Sequence, residues 1–184
     1  MEMTVEDGID SLTMAGLAER CDAAVGALYR YFPGKDALIT ALQVRAIQAM
    51  HASLDTRLSL ADGPRERLDV VMRSWHAFAD DSPALHGLVA GSLNDPRRLL
   101  SDQQAVEVDQ ALQPLLDRCA EVLTRAATEG IISSGNAQLR VHILWAAVHG
   151  AWTLGKRDPR LPPELQRNQV LDAVCTTLLA AWAT

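Results

Sequence analysis

Leu12-Thr13-Met14-Ala15-Gly16-Leu17-Ala18, followed after six residues by Val25-Gly26-Ala27-Leu28-Tyr29-Arg30-Tyr31-Phe32-Pro33-Gly34-Lys35-Asp36-Ala37-Leu38, is the stretch on which the reading of this chain turns. Its spacing predicts a helix over about 13–21 and a second over about 24–31, joined by a tight turn. Two helices of that length and spacing make a helix-turn-helix, whose second member is presented to the major groove of DNA. Leu17, Ala18 and Cys21 are expected to face Leu28 and Phe32 across the turn, because helices this short hold together only by packing on each other. The polar residues are left outside that small core. Tyr29, Arg30 and Tyr31 stand in a row, and Lys35 opens the next helix, where the helix dipole disfavours a cation. A phosphate partner would offset that cost, and a solvated lysine is the alternative.

Working outward, the eight prolines fall between stretches whose apolar residues recur every three or four positions, so the chain reads as all-α. Strand signals are weak: no alternating β-branched runs flank an Asn-Gly or Asp-Gly pair. After the motif, helices are expected over about 35–60, 64–80, 83–93, 102–130, 136–156 and 163–183. Asp62-Gly63-Pro64 ends one helix and begins another, with proline in a tolerated first-turn position. Pro114 should kink the 102–130 helix or divide it. The organisation is an amino-terminal helix-turn-helix domain over 1–45 joined to a larger helical domain over 46–184.

Composition limits the functions open to such a chain. It has 184 residues, 48% hydrophobic and 22% charged, which suits a packed globular core. Cys21, Cys119 and Cys175 are an odd number at wide spacing, so a reducing, cytoplasmic setting is expected rather than a disulfide framework. The apolar runs fall far short of the roughly 20 residues that cross a bilayer, and the acidic start does not read as a secretion signal. A net charge of -6 excludes coating nucleic acid by bulk charge but not a local DNA-reading surface. There is no GxSxG, phosphate-binding loop, HExxH or glycine-rich dinucleotide turn, so no enzyme is expected. His142 and His149 lie two turns apart, ~10 Å along a helix and too far for one ion, so no metal and no other cofactor is expected.

The two segments quoted at the outset resemble the DNA-binding signature of the tetracycline-repressor (TetR-like) family of bacterial regulators, over roughly Gly8 to Leu42. The resemblance implies that Thr13, Tyr29, Tyr31 and Lys35 contact phosphates and that Ala24, Val25, Ala27 and Arg30 line the major groove. Arg30 is the candidate for reading a base, since its planar fork can engage guanine at two points. Where the family usually has Gly in the turn and Ser at the cap of the second helix, this chain has Asp22 and Ala24. Asp22 is expected either to turn the chain or to cap the helix. The family also carries a basic first helix upstream of the position of Gly8. Here four basic residues stand against seven acidic ones over 1–50. The expectation is that residues naturally present upstream are missing from the sequence, and that restoring them would strengthen DNA binding.

In the larger domain, Leu144-Trp145-Ala146-Ala147-Val148-His149-Gly150-Ala151-Trp152 resembles the Trp-x-x-x-His-Gly block of the WHG-type carboxy-terminal domain of some of these regulators. Ile143, Ala147, Gly150 and Leu154 fall on one helical stripe, and Leu171, Val174, Leu178 and Ala181 on another. Two such stripes from each of two chains would form a four-helix homodimer interface; intrachain core is the alternative. Trp75, His76, Phe78, His86, Trp145, His149 and Trp152, with Met72, are candidates to line a cavity for a small apolar or amphipathic ligand. The expected function is a one-component transcriptional regulator, a repressor released from double-stranded operator DNA by that ligand. The alternative is a helical ligand-binding or scaffolding protein with a vestigial DNA-binding module.

Overall fold

A computed structural model describes residues 12–93 and 100–184; the expectation for the residues ahead of Gly8 lies outside them. Among the described residues the chain is helical throughout: α1 (Met14–Arg20), α2 (Val25–Tyr31), α3 (Lys35–Leu60), α4 (Pro64–Asp81), α5 (Pro83–Leu93), α6 (Asp102–Thr128), α7 (Ala137–Thr153) and α8 (Arg167–Trp182). Two short 3-10 segments, Leu154–Arg160 and Pro163–Leu165, lie between α7 and α8. No helix among the described residues is long and apolar enough to cross a membrane.

Of the two outcomes expected at Pro114, division is excluded, because it sits inside one continuous α6. Two expected boundaries are corrected. α7 stops at Thr153, and the chain tightens into 3-10 turns where a longer helix was expected. α8 begins at Arg167 rather than near Pro163, for a reason outside local propensity. Its N-cap, Gln166, makes no capping bond with its side chain. Instead the Arg167 backbone N–H donates to Asp158 Oδ1 at 2.9 Å, so a carboxylate nine residues upstream satisfies a donor of the first turn.

The residues group into two units. The first comprises residues up to Ala49 together with Ala79–Leu112, and the second comprises Met50–Phe78 with Gln113–Thr184. In the first, Leu12, Met14, Leu38 and Ile39 form a buried cluster, with Leu17, Leu28, Phe32 and Leu42 packed half-buried around it. Cys21 is exposed and takes no part in that core, contrary to expectation: it follows the last turn of α1, where its side chain has left the packed face. The second unit is built on Leu54, Val71, Trp75, Leu115, Leu123 and Val148, all buried. Its carboxy-terminal end is tied down by Ser133, whose N–H and hydroxyl both donate to the Trp182 carbonyl at 2.7 and 3.1 Å.

Candidate nucleic-acid interface and helical body

Thr13 starts the motif as the N-cap of α1, its hydroxyl oxygen accepting from Gly16 N–H at 3.0 Å. Its O–H hydrogen remains available to donate outward. The turn between α1 and α2 depends on Asp22, which adopts the left-handed conformation at φ 48, while Ala23 N–H returns to the Ala18 carbonyl at 2.9 Å. Asp22 therefore does the work of the family's glycine at a steric cost that Asp tolerates better than most residues. It does not cap α2, whose N-cap is Ala24 with no side-chain bond. Helix α2 has no buried residue. Ala24, Val25, Tyr29, Arg30 and Tyr31 are exposed, and Ala27 and Lys35 are half-buried. Tyr31 is the most open of the large side chains here, at 70%. The Arg30 guanidinium lies over its ring, 5.4 Å from the centroid, which holds the cation near the helix surface.

In the second unit the aromatic candidates separate. Trp75, Trp145 and His149 stack mutually: Trp75 meets Trp145 edge-on at 4.8 Å, and His149 lies 4.4 Å from Trp75 and 4.2 Å from Trp145. Met72, Trp75 and Trp145 line an apolar cavity of about 30 Å³, whose other walls include Met50, Leu115, Leu116, Cys119 and Leu144. That volume holds a water molecule, not a metabolite. Phe78 is fully buried, and His76 borders a small neighbouring cleft with Leu171 and Cys175. Trp152 carries Arg167 over its ring at 4.1 Å. His86 is buried and belongs to the first unit.

His149 is electrostatically distinctive. Its Nδ1 donates to the Trp145 carbonyl at 2.9 Å, which leaves Nε2 as the unprotonated nitrogen, buried without a hydrogen-bond partner. Burial lowers its pKa, opposed by the backbone bond, so the ring is neutral at pH 7. His142 likewise bonds its own helix, Nδ1 to the Gln138 carbonyl at 2.7 Å. Burial also pushes the Cys119 thiol up to about 12.

The two stripes fare differently. On α7, Ile143 and Gly150 are exposed, and Ala147 is half-buried; Leu154, beyond the end of α7, is half-buried too. A Cβ built on Gly150 would meet nothing within 4 Å. Leu139, 57% exposed and one turn before Ile143, extends the stripe and was missed; its position four before Ile143 was the available signal. On α8, Ala181 is exposed and Val174 and Leu178 are half-buried, but Leu171 is covered by its own chain and has no area left to give a second copy.

Residues 1–42 match the family model described as bacterial regulatory proteins, tetR family. The HTH-type transcriptional repressor KstR of Mycolicibacterium smegmatis is 37% identical over 79 residues, covering 42% of this chain and 38% of that protein. KstR of Mycobacterium tuberculosis is 27% identical over 130 residues, 71% of this chain and 56% of that protein. The chain thus spans about half, or less, of the curated relatives it matches. Among solved structures, a TetR-family transcriptional regulator from Agrobacterium tumefaciens superposes with a TM-score of 0.72 at 20% identity, covering 98% of this chain and 92% of that one. AibR in complex with isovaleryl coenzyme A and operator DNA gives 0.69 at 18% identity, covering 97% and 92%.

Proposed function

We propose that this chain, whose residues 1–42 match the tetR family model, is a one-component transcriptional repressor. It binds a double-stranded operator as a homodimer and leaves it when a small apolar or amphipathic molecule enters the helical body. Residues 1–45 read DNA, and residues 46–184 bind the ligand and pair the two copies. The observation that carries this is α2: a helix with nothing buried, held by a left-handed Asp22 and bearing Tyr29, Arg30 and Tyr31 in the open. Apart from half-buried Ala27 and Leu28, which packs on the small core, α2 leaves its surface open to a partner. Contacts from Thr13, Tyr29, Tyr31 and Lys35 fix the register on phosphates, and Arg30 reads a base from the groove side shared with Ala24, Val25 and Ala27.

Pairing uses the uncovered face of α7, with Leu139, Ile143, Ala147 and Gly150, against the outer residues of α8 across a two-fold axis. In the dimer the two copies of α2 lie about 34–36 Å apart, one turn of duplex. A ligand that binds better to a conformer with another separation weakens operator binding by its differential affinity. No catalytic step is assigned, and the setting is cytoplasmic. Selection of bound sequences from a random DNA pool tests the reading. A recovered palindrome with half-sites one helical turn apart is expected; recovery of no sequence at any salt concentration would sink it.

A further inference from the structure

Arg67, near the start of α4, and Arg118, Glu121 and Arg125 of α6 border a cleft of about 150 Å³ in the second unit, over an apolar floor that includes Leu58 and Val122. It shares no residue with the aromatic cavity. Two of its three guanidinium groups are already engaged. Arg118 donates from Nε to Asp55 at 2.8 Å and from Nη1 to Glu121 at 2.9 Å, which raises its pKa and neutralises the one carboxylate in the wall. Arg125 donates from Nε to Glu129 at 3.0 Å. Arg67 is different: its Nε–H is buried and has no hydrogen-bond partner.

A desolvated, unmatched donor on a permanent cation is costly to hold, and an oxyanion removes that cost by accepting from Nε and Nη together in the planar fork that guanidinium offers. The cleft is too small for a drug-sized ligand and large enough for an anionic head with a short carbon stem against Leu58 and Val122. We propose that this cleft is a second small-molecule site, one that binds a small oxyanion, phosphate or the carboxylate of a short organic acid, through Arg67. The inference is independent of DNA binding and of any ligand in the aromatic cavity.

The test uses the full chain at constant ionic strength, titrated separately with inorganic phosphate and with butyrate. The Arg67 Nε–Hε resonance is followed by NMR and identified by its loss in Arg67→Lys. A saturable shift with either anion is expected, and which anion saturates identifies the head group. Arg67→Gln should weaken that binding by at least about tenfold, whereas Arg65→Gln, exposed on the same helix, should leave it unchanged. A shift that never saturates with either anion, or equal binding by Arg67→Gln, overturns the assignment. The wild-type titration stands on its own should Arg67→Gln fold poorly.

Discussion

Substituting Gly150 by leucine separates an interface from an interior. In a single chain the new side chain enters open space, since even its Cβ has no neighbour within 4 Å. Replacing glycine within α7 also removes a helix penalty of about 0.8–1.0 kcal/mol, so the isolated fold should hold or gain stability. In a dimer packed through the small residues of α7, the same leucine overpacks the contact at about 1–3 kcal/mol. Two-fold symmetry places it there twice, for ~2–6 kcal/mol in all. At about 1.4 kcal/mol per factor of ten, the dimer dissociation constant should rise between ~30-fold and ~20,000-fold. Sedimentation equilibrium over a dilution series reads that constant, and thermal melts of the dilute variant read the fold. Leu171→Ala is the opposing control: being buried in its own chain, it should cost ~2–5 kcal/mol of fold stability. A Gly150→Leu protein with an unchanged dimer constant, or one whose monomer melts well below the wild-type monomer when both are diluted below their dimer constants, refutes the reasoning.

Because burial lowers the His149 pKa, the unfolded chain binds a proton more readily than the native one. Stability should therefore fall as pH drops through the ordinary histidine value near 6.5 and level off below the lowered native pKa; denaturant melts across pH on wild type and His149→Phe check this, and identical slopes would refute it. Arg30→Ala should relax preference at one operator position by ~1–3 kcal/mol, while Lys35→Ala should weaken all sequences alike and reduce the salt dependence, as read by titration on single-base operator variants. Of three thiols, native protein should yield Cys21 alone to a thiol reagent, because Cys119 and Cys175 are buried; rapid modification of a second cysteine would show that the core opens. Leu144→Ala should enlarge the apolar cavity at a cost of ~2–5 kcal/mol and let it take up benzene, which the wild type excludes, as seen in ligand-induced melting shifts.

The helices were legible because their punctuation is local. Thr13 and Asn136 cap α1 and α7 with their own side chains, and Gly63-Pro64 separates α3 from α4, so each start is written beside the element it governs. The start of α8 was not legible, since the group that satisfies it is Asp158, brought back by 3-10 turns. The exposure of α2 was readable from Tyr29-Arg30-Tyr31, three polar-tipped residues in a row that one buried helix face does not accommodate. The aromatic candidates were half readable. Three- and four-residue spacing puts Trp145 and His149 on one face, but nothing in the order of residues reveals that Arg167 claims Trp152 or that His86 is buried in the other unit. Periodicity likewise marked Leu171 as apolar without telling an inner stripe from an outer one.

The size of the aromatic cavity constrains how a ligand would act. At about 30 Å³ it admits no metabolite, so a molecule that binds there must first part Trp75 from Trp145 and Leu144. The separation costs packing energy, so a ligand binds more tightly to a conformer in which those contacts are already parted and shifts the equilibrium toward it. The wall also includes Met50, which lies on α3, the uninterrupted helix that begins at Lys35. Close-packed helices move as rigid pieces rather than deforming smoothly, so wedging open a wall of α3 displaces the helix rather than one side chain. On the proposed reading, the Trp75–Trp145 contact, against which His149 stacks, is the one whose loss would set the size of the response.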